Sequence, residues 1–209
     1  MGVLAPLVLL VWLVAGSSLL AVRHVVVTGE GRATAAQVQA AAAVPLGTPL
    51  ARVDTASVAA RVRRLPSVAS AHVTRHWPHV LRIQVVERLP VAGMVDGSRF
   101  VLLDATGAVV GPASVLPRGL LLIRVPSPSD PATPAALQVL RELPATLRGQ
   151  LAVVVAPTAE QVELVLRDGR RVVFGSPADG ARKAAATVAL LRLPGRVFDV
   201  SSPGVVTRR

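Results

Sequence analysis

The chain has no cysteine and no tyrosine, and Lys183 is the only lysine among its 23 basic residues. Without cysteine it has no disulfides, and no thiolate that acts as a nucleophile or binds a metal. Only five residues are aromatic, so the stacking platforms of single-strand nucleic-acid binding are largely missing. The preference for arginine, with abundant Ala, Val, Gly and Pro, is typical of a GC-rich genome. The net charge of +11 is therefore a weak indication of a nucleic-acid partner.

Motifs of catalysis are missing as well. The sequence contains no G-x-S-x-G nucleophile elbow, no H-E-x-x-H zinc helix and no Walker loop. The segment GEGRAT at 29–34 has two glycines but lacks the third glycine of a dinucleotide-binding turn. Nothing in the sequence therefore indicates catalysis or a cofactor.

Three of the four histidines lie close together, at positions 72, 76 and 79. On a strand, His72 and His76 face the same side but stand about 13 Å apart at ~3.3 Å per residue. That distance is too long for a shared zinc ion. His79 can approach His76 across a turn, but two ligands without a third make a weak site. We interpret the stretch as a hairpin with solvated histidines and predict no metal site.

The same hairpin explains two further pairs of residues. Proline forces the preceding residue into an extended conformation, so Trp77-Pro78 ends the first strand of the hairpin. We expect the Trp77 ring to cover the end of a small core. Glu87 and Arg88 are expected to be solvated charges where the second strand ends.

The first 22 residues carry no charge. A helix over Val3–Val22 spans the ~30 Å hydrocarbon core of a bilayer, which predicts a membrane anchor. A cleaved signal peptide is the alternative, but the basic n-region and a clean cleavage site are missing. Arg23 and Arg32 follow the segment and no basic residue precedes it, so the positive-inside rule alone places the body in the cytoplasm.

The remaining sequence predicts an α+β fold in two parts. Thr34 with Gln37 predicts a capping box and Asp54 a second N-cap, which gives strand, helix, helix, strand, strand up to residue 86. From Val91 onward, short strands alternate with Asp-Gly turns at 104–107 and 168–169. Helices are predicted over Ala135–Leu147 and from Asp179, and the final strand is RVFDV at 196–200.

These patterns resemble the FtsQ/DivIB family of bacterial cell division proteins, whose first extracytoplasmic domain is a POTRA domain. The similar pieces are R-x-W-P, E-R-x-P, L-x-D-x-x-G and D-V-S-x-P, in the family's order along nearly the whole chain after residue 22. The POTRA motif residues here are Arg75, Trp77, Pro78, Glu87, Arg88 and Pro90. The resemblance implies a vestigial tail at 1–2, a membrane helix at 3–22, a POTRA domain at 23–90 and a mainly antiparallel β domain at 91–209. Together with the GC-rich composition, it predicts an actinobacterial source.

The resemblance implies a function that composition does not. FtsQ-like proteins are non-enzymatic, single-pass membrane scaffolds at the division septum, with the body outside the cytoplasm. Their partners are FtsB and FtsL, with FtsW, FtsI and FtsK as further candidates. FtsB adds a strand to the C-terminal edge, which here corresponds to Arg196, Val197, Phe198, Asp199, Val200, Ser201, Val205 and Val206. We expect Phe198 and Val200 to give specificity, and Val200→Pro to remove an edge donor.

Two other interpretations stay open at this point. A generic POTRA-type module for envelope assembly or secretion also binds client strands, although it usually carries repeated POTRA units and a membrane barrel. A basic cytosolic nucleic-acid binder fits the charge, but the apolar N-terminal segment and the scarcity of aromatics oppose it.

Overall fold

The computed structural model describes residues 18–29, 31, 33–202 and 207–208. The predicted tail and most of the predicted membrane helix lie outside these residues. Among the helices described, none has both the length and the apolar character needed to cross a bilayer. The chain divides between Arg88 and Leu89 into two compact units, whereas the sequence placed the division after Pro90.

In its described residues, the first unit contains three strands and two helices. Its elements are β1 (His24–Thr28), α1 (Ala35–Ala42), α2 (Thr55–Val62), β2 (Val68–His76) and β3 (Val80–Glu87), with 3-10 turns at Ser18–Leu20 and Leu50–Arg52. β3 lies at the centre of the sheet, parallel to β1 and antiparallel to β2. This is the predicted order strand, helix, helix, strand, strand.

Side chains at both helix starts explain why these segments are helical. Thr34 accepts a hydrogen bond from the Gln37 amide at 3.3 Å, and the Gln37 side chain accepts one from the Thr34 amide at 3.0 Å. Asp54 Oδ1 accepts from the amides of Ala56 and Ser57. Both caps satisfy amides that have no partner within the helix, as predicted.

The core of the first unit is aliphatic and includes the end of the predicted membrane helix. Val22 is fully buried, and it exchanges backbone hydrogen bonds with Thr48 and Gly47. Ala21 forms a bridge with Pro49. Extending the membrane helix to Val22 was therefore wrong, because hydropathy alone does not separate a bilayer-facing residue from a core residue. The buried members are Ala21, Val22, Ala33, Val38, Ala42, Leu50, Val53, Val58, Val62, Val68, Val73, Leu81, Ile83 and Val85.

The second unit contains the remaining nine strands and three helices of the described chain. They are β4 (Pro90–Asp96), β5 (Arg99–Asp104), β6 (Val109–Ala113), β7 (Leu121–Arg124), α3 (Ala132–Glu142), α4 (Ala145–Arg148), β8 (Leu151–Val155), β9 (Val162–Leu166), β10 (Arg171–Gly175), α5 (Gly180–Leu190), β11 (Val197–Asp199) and β12 (Thr207–Arg208).

All nine strands form one mixed sheet, in the order β12-β11-β10-β9-β8-β7-β4-β5-β6. The pairs β4–β7, β7–β8 and β10–β11 are parallel, and the others are antiparallel. The helices α3 and α5 contact each other, and α3 contacts β9. The core between helices and sheet includes two fully buried aromatic rings, Phe174 and Phe198.

Three local features of the second unit differ from the prediction. The helix predicted over Ala135–Leu147 is two helices, because Leu143-Pro144 interrupts it. Asp179 precedes α5 in a left-handed conformation (φ 55°) and makes no side-chain cap. A twelfth strand, β12, follows the one predicted to be last.

Candidate functional site

The C-terminal side of the sheet is built from β10, β11 and β12. β11 runs parallel to β10, and Arg171 N donates to Arg196 O at 2.8 Å while Val200 N donates to Val173 O at 2.9 Å. Backbone groups alternate in direction along a strand, so residues 196, 198 and 200 pair with β10. The backbone groups of Val197 and Asp199 therefore point away from β10, toward the outer side of the sheet.

The side chains of β11 alternate in the same way. Phe198 is fully buried and Val200 is 2% exposed, whereas Val197 is 36% exposed. Phe198 and Val200 anchor the strand to the core and do not face a partner, so the predicted specificity role for them was wrong. The prediction that Val200→Pro removes an edge donor was also wrong. The Val200 amide donates to Val173 O of β10, so this substitution breaks a hydrogen bond inside the sheet.

The D-V-S motif turns the chain at the end of β11. Asp199 Oδ1 accepts a hydrogen bond from the Ser201 amide at 2.9 Å. Gly175 lies against this turn with a φ of 73°, and a Cβ added there would stand 2.8 Å from Ser201 Cβ. The turn therefore requires glycine at the end of β10, both for its backbone conformation and for space.

β12 covers part of the outer side of β11. Its two residues pair antiparallel, Thr207 with Asp199 and Arg208 with Phe198. The backbone groups of Asp199 point away from β10, so they pair with the backbone groups of Thr207. Because the direction alternates along β12, the amide of the next residue, Arg208, points away from β11. In the described part of the chain, no further strand follows β12 in the sheet. Val205 and Val206 lie outside the described residues.

The POTRA motif residues of the first unit make long-range ties to backbone groups. Arg75 Nη2 donates to Val53 O at 2.7 Å. Glu87 Oε1 accepts from the amides of Gly31 at 2.8 Å and Ala33 at 2.9 Å. The expectation that Glu87 is a solvated charge was therefore wrong: its carboxylate fixes the loop between β1 and α1.

The remaining motif residues lie near the ends of the strands. Trp77 and Pro78 occupy the turn after β2, as predicted, but Trp77 is 52% exposed and covers little of the core. The ring of His79 lies with Nδ1 3.2 Å from Ala21 O, so it is not simply solvated. The Arg88 amide donates to Ser67 O, and Pro90 is the first residue of β4.

The L-x-D-x-x-G motif forms a hairpin turn between β5 and β6. Asp104 Oδ1 accepts from the amides of Thr106 and Ala108 and from the Thr106 hydroxyl. Gly107 has a φ of 88° and donates to Asp104 O. The carboxylate of this motif therefore stabilises the turn.

Two other carboxylates have lowered pKa values. The hydrogen bond from the Ser57 hydroxyl lowers the pKa of Asp54, and the hydrogen bond from the Arg170 amide lowers the pKa of Asp168. Both groups are exposed caps of a helix or a turn. Within the described ranges, no three His, Asp or Glu side chains come together as a metal site.

Lys183 is a residue that sequence reasoning missed. It is 3% exposed, Nζ donates to Ser176 O at 2.9 Å, and the ammonium lies 5.6 Å from the centre of the Phe174 ring. This contact joins α5 to the chain that leaves β10. Two sequence signals mark this position: Lys183 is the single lysine of the chain, and it stands four residues before Thr187, on the same face of α5.

Comparison with known proteins agrees with this architecture. Residues 20–88 match the family described as "POTRA domain, FtsQ-type", and residues 93–201 match "Cell division protein FtsQ/DivIB, C-terminal". The major extracytoplasmic domain of the trans isomer of the cell division protein DivIB from Geobacillus stearothermophilus is similar over 52% of this chain and 98% of that chain. Its identity is 22% and its TM-score 0.38.

Curated relatives carry the name cell division protein FtsQ. That of Mycobacteroides abscessus is 42% identical over 192 residues, which is 90% of this chain and 61% of the relative. That of Streptomyces venezuelae is 39% identical over 204 residues, 92% of this chain and 75% of the relative. The chain thus spans less than two thirds of the mycobacterial protein. The family models match the two units in the order in which they occur, and these two relatives are 42% and 39% identical over at least 90% of the chain. The chain therefore belongs to the FtsQ/DivIB family of cell division proteins.

Proposed function

We propose that this protein is a non-enzymatic scaffold of the division machinery, held in the cytoplasmic membrane with its body outside the cytoplasm, at the septum. Family membership supports the role in division. The charge-free segment before residue 18 supports the anchor. The motif carboxylates Glu87, Asp104 and Asp199 accept hydrogen bonds from backbone amides, which supports a structural role for them.

The proposed mechanism is strand addition at the C-terminal side of the second unit. The observation that carries it is the outer strand: among the described residues β12 pairs with β11 at two positions, and its Arg208 amide points outward. An open strand edge is either protected or used for docking. The partner is an FtsB-like protein associated with an FtsL-like protein, and it pairs with the outer side of β12.

The residues that the sequence predicted for partner binding then have different roles. Phe198 and Val200 hold β11 in place from the core, and Asp199 and Ser201 form the turn at its end. Arg196 and Val197 are the exposed residues of this strand, and they contact the partner at the margin of the added strand. Val205 and Val206 lie outside the described residues, and only the family resemblance includes them in this proposal.

Arg208→Pro tests the docking edge, with Arg208→Ala as the matched control. Proline removes the outward amide, while alanine keeps it and removes the same side chain. We expect the proline variant to bind the extracytoplasmic part of the FtsB-like partner about tenfold more weakly, on the scale of one lost hydrogen bond plus strain. Equal affinity of the two variants, measured by biolayer interferometry, would place docking elsewhere.

The division role is tested in dividing cells. We expect a fluorescent N-terminal fusion to form a band at septa, and external protease to digest the body of the protein. A uniform envelope signal would favour a general assembly module instead. A signal over the nucleoid would contradict both the anchor and the scaffold.

A further inference from the structure

An apolar groove with an arginine rim lies in the second unit, apart from the proposed docking edge. Its volume is about 440 Å³, and it is open to solvent along one side. The residues that line it come from β4, β7, α3 and α4 and from the chain next to them, and none belongs to β10, β11 or β12. The floor consists of Val91, Leu120, Leu121, Leu137 and Leu140.

The rim carries three cations and no acid. Arg141 is on α3, Arg148 ends α4 and Arg167 follows β9, and all three are exposed. Within the described part of the chain, none of them takes part in an ion pair. Arg167 is oriented by its Nε, which donates to Leu151 O at 3.1 Å.

Two acids directly follow rim arginines in the sequence, and neither lines the groove. Asp168 follows Arg167 and forms an ion pair with Arg170 at 2.8 Å. Glu142 follows Arg141 directly, but its carboxylate lies against Gly180 at the start of α5, where a Cβ would collide with it, and it accepts from Gln138 Nε2 at 3.2 Å. The rim charges are therefore not neutralised by these neighbours. Three guanidinium groups beside an apolar floor fit a ligand with both carboxylates and aliphatic side chains.

We infer that this groove binds an acidic, leucine-bearing peptide segment of a partner protein. Sites for small molecules and lipid tails bury most of the ligand surface, whereas this groove is open and leaves one side of its occupant in water. A peptide segment tolerates that, because its outer residues stay hydrated while aliphatic side chains enter the groove. The three rim cations come from three separate places, α3, the end of α4 and the turn after β9, which suits several carboxylates along one segment. This site goes beyond the proposed strand docking and does not depend on it.

The test begins with selection of a phage-displayed library of short random peptides on the full chain, reconstituted in nanodiscs of zwitterionic lipid. We expect enrichment of sequences in which Asp or Glu alternates with Leu, Ile or Val. The best peptide is then synthesised with a fluorophore, and its affinity is measured by anisotropy at low and high salt. Failure to enrich such sequences would overturn the inference.

Variants show whether the selected peptide uses this groove. Arg141→Glu/Arg148→Glu should weaken binding at least about tenfold, since two exposed pairs become repulsive. Arg182→Glu/Arg192→Glu, with the same charge change elsewhere on the unit, should bind normally. Val91→Asp, which places a charge on the apolar floor, should also weaken binding, whereas the conservative variant Val91→Ile should bind the peptide like wild type. Equal binding by the two double variants would contradict the inference.

Two further arms identify the chemistry of the ligand. A peptide with Gln and Asn in place of its acids should bind about tenfold more weakly at low salt. Equal affinity of that peptide would overturn the role of the rim. Phosphatidylglycerol vesicles should leave the peptide signal unchanged, and their competition would replace the peptide with a lipid headgroup as the occupant.

Discussion

The two units use their polar side chains differently. In the first unit, Glu87 reaches amides 54 and 56 residues earlier, and Arg75 reaches a carbonyl 22 residues earlier. In the second unit, Asp104, Asp130 and Asp199 bond to amides within four residues of their own positions. A carboxylate thus ties distant parts of the first unit together, beside the local cap at Asp54, whereas each of these carboxylates in the second unit shapes a single turn. Arginine ties to distant carbonyls occur in both units, as the bond from Arg170 to Leu191 O shows.

The hydrophobic cores of the two units also differ in composition. The buried residues of the first unit are aliphatic within the described chain, whereas the second unit buries the rings of Phe174 and Phe198. A small domain buries a smaller fraction of its surface, so it depends more on individual ties. We therefore expect core truncation to matter most in the second unit, and loss of a polar tie to matter most in the first.

The largest expected effect comes from Phe198→Ala. Removing a fully buried ring leaves a cavity and should destabilise the second unit by about 3–5 kcal/mol. Hydrogen exchange read by mass spectrometry follows each unit separately, and the first unit should keep its protection. Val197→Ala, at a partly exposed position on the same strand, is the control with an effect within about 0.5 kcal/mol. Equal loss of protection in both units would break the comparison.

Gly175→Ala should destabilise the second unit by about 1–3 kcal/mol, since φ is 73° there and the new Cβ meets Ser201. Protection of residues 197–201 should fall more than that of β8 and β9. Gly169→Ala is the matched control, because its φ is also positive but nothing lies within 4 Å of the added Cβ. A larger effect at Gly169 would show that backbone strain, and not contact with the turn, determines the result.

Glu87→Ala should destabilise the first unit by about 1–2 kcal/mol, because two amides lose a charged acceptor and are only partly rehydrated. Exchange of the Gly31 and Ala33 amides should rise before that of β3. Glu87→Gln keeps one acceptor oxygen and should recover part of the loss. If the alanine variant behaved like wild type, the long-range tie would contribute nothing to this unit.

The smallest effect is the acid dependence of Asp54. Its pKa is lowered from the ordinary value of 3.8, so its stabilising contribution is fully present above that value and is lost as pH falls through the lower folded pKa. Asp54→Asn keeps a capping side chain but does not titrate there. The melting temperatures of wild type and variant should converge at strongly acidic pH. A constant difference across the titration would contradict the lowered pKa.

Local patterns predicted the first unit almost completely. The caps at Thr34 and Asp54 and the Trp77-Pro78 turn use neighbouring residues only, so the sequence displays them directly. The tie from Glu87 to Gly31 and Ala33 was missed because its partners are more than fifty residues away. The place of Val22 in the core was missed because hydropathy is the same for an apolar residue in a membrane and in a protein core.

The second unit was harder to predict for reasons of pairing. The turns at Asp104 and Asp168 are local, and both hairpins form as expected. The parallel neighbours of β7 and the outward direction of the Arg208 amide depend on sheet order, which no local pattern specifies. The arginine-rimmed groove draws its residues from 91 to 167, and only the fold brings them together.

The parallel pairing of β1 with β3 has a mechanical consequence. A pull on the chain before His24, resisted at the end of β3 where the chain enters the second unit, acts along the two strands in opposite directions. The five residue pairs from His24–Val80 to Thr28–Gln84 then share the load in shear, and no pair can be opened alone as in unzipping. Under the proposed anchoring and strand docking, the pairing of β1 with β3 bears this load.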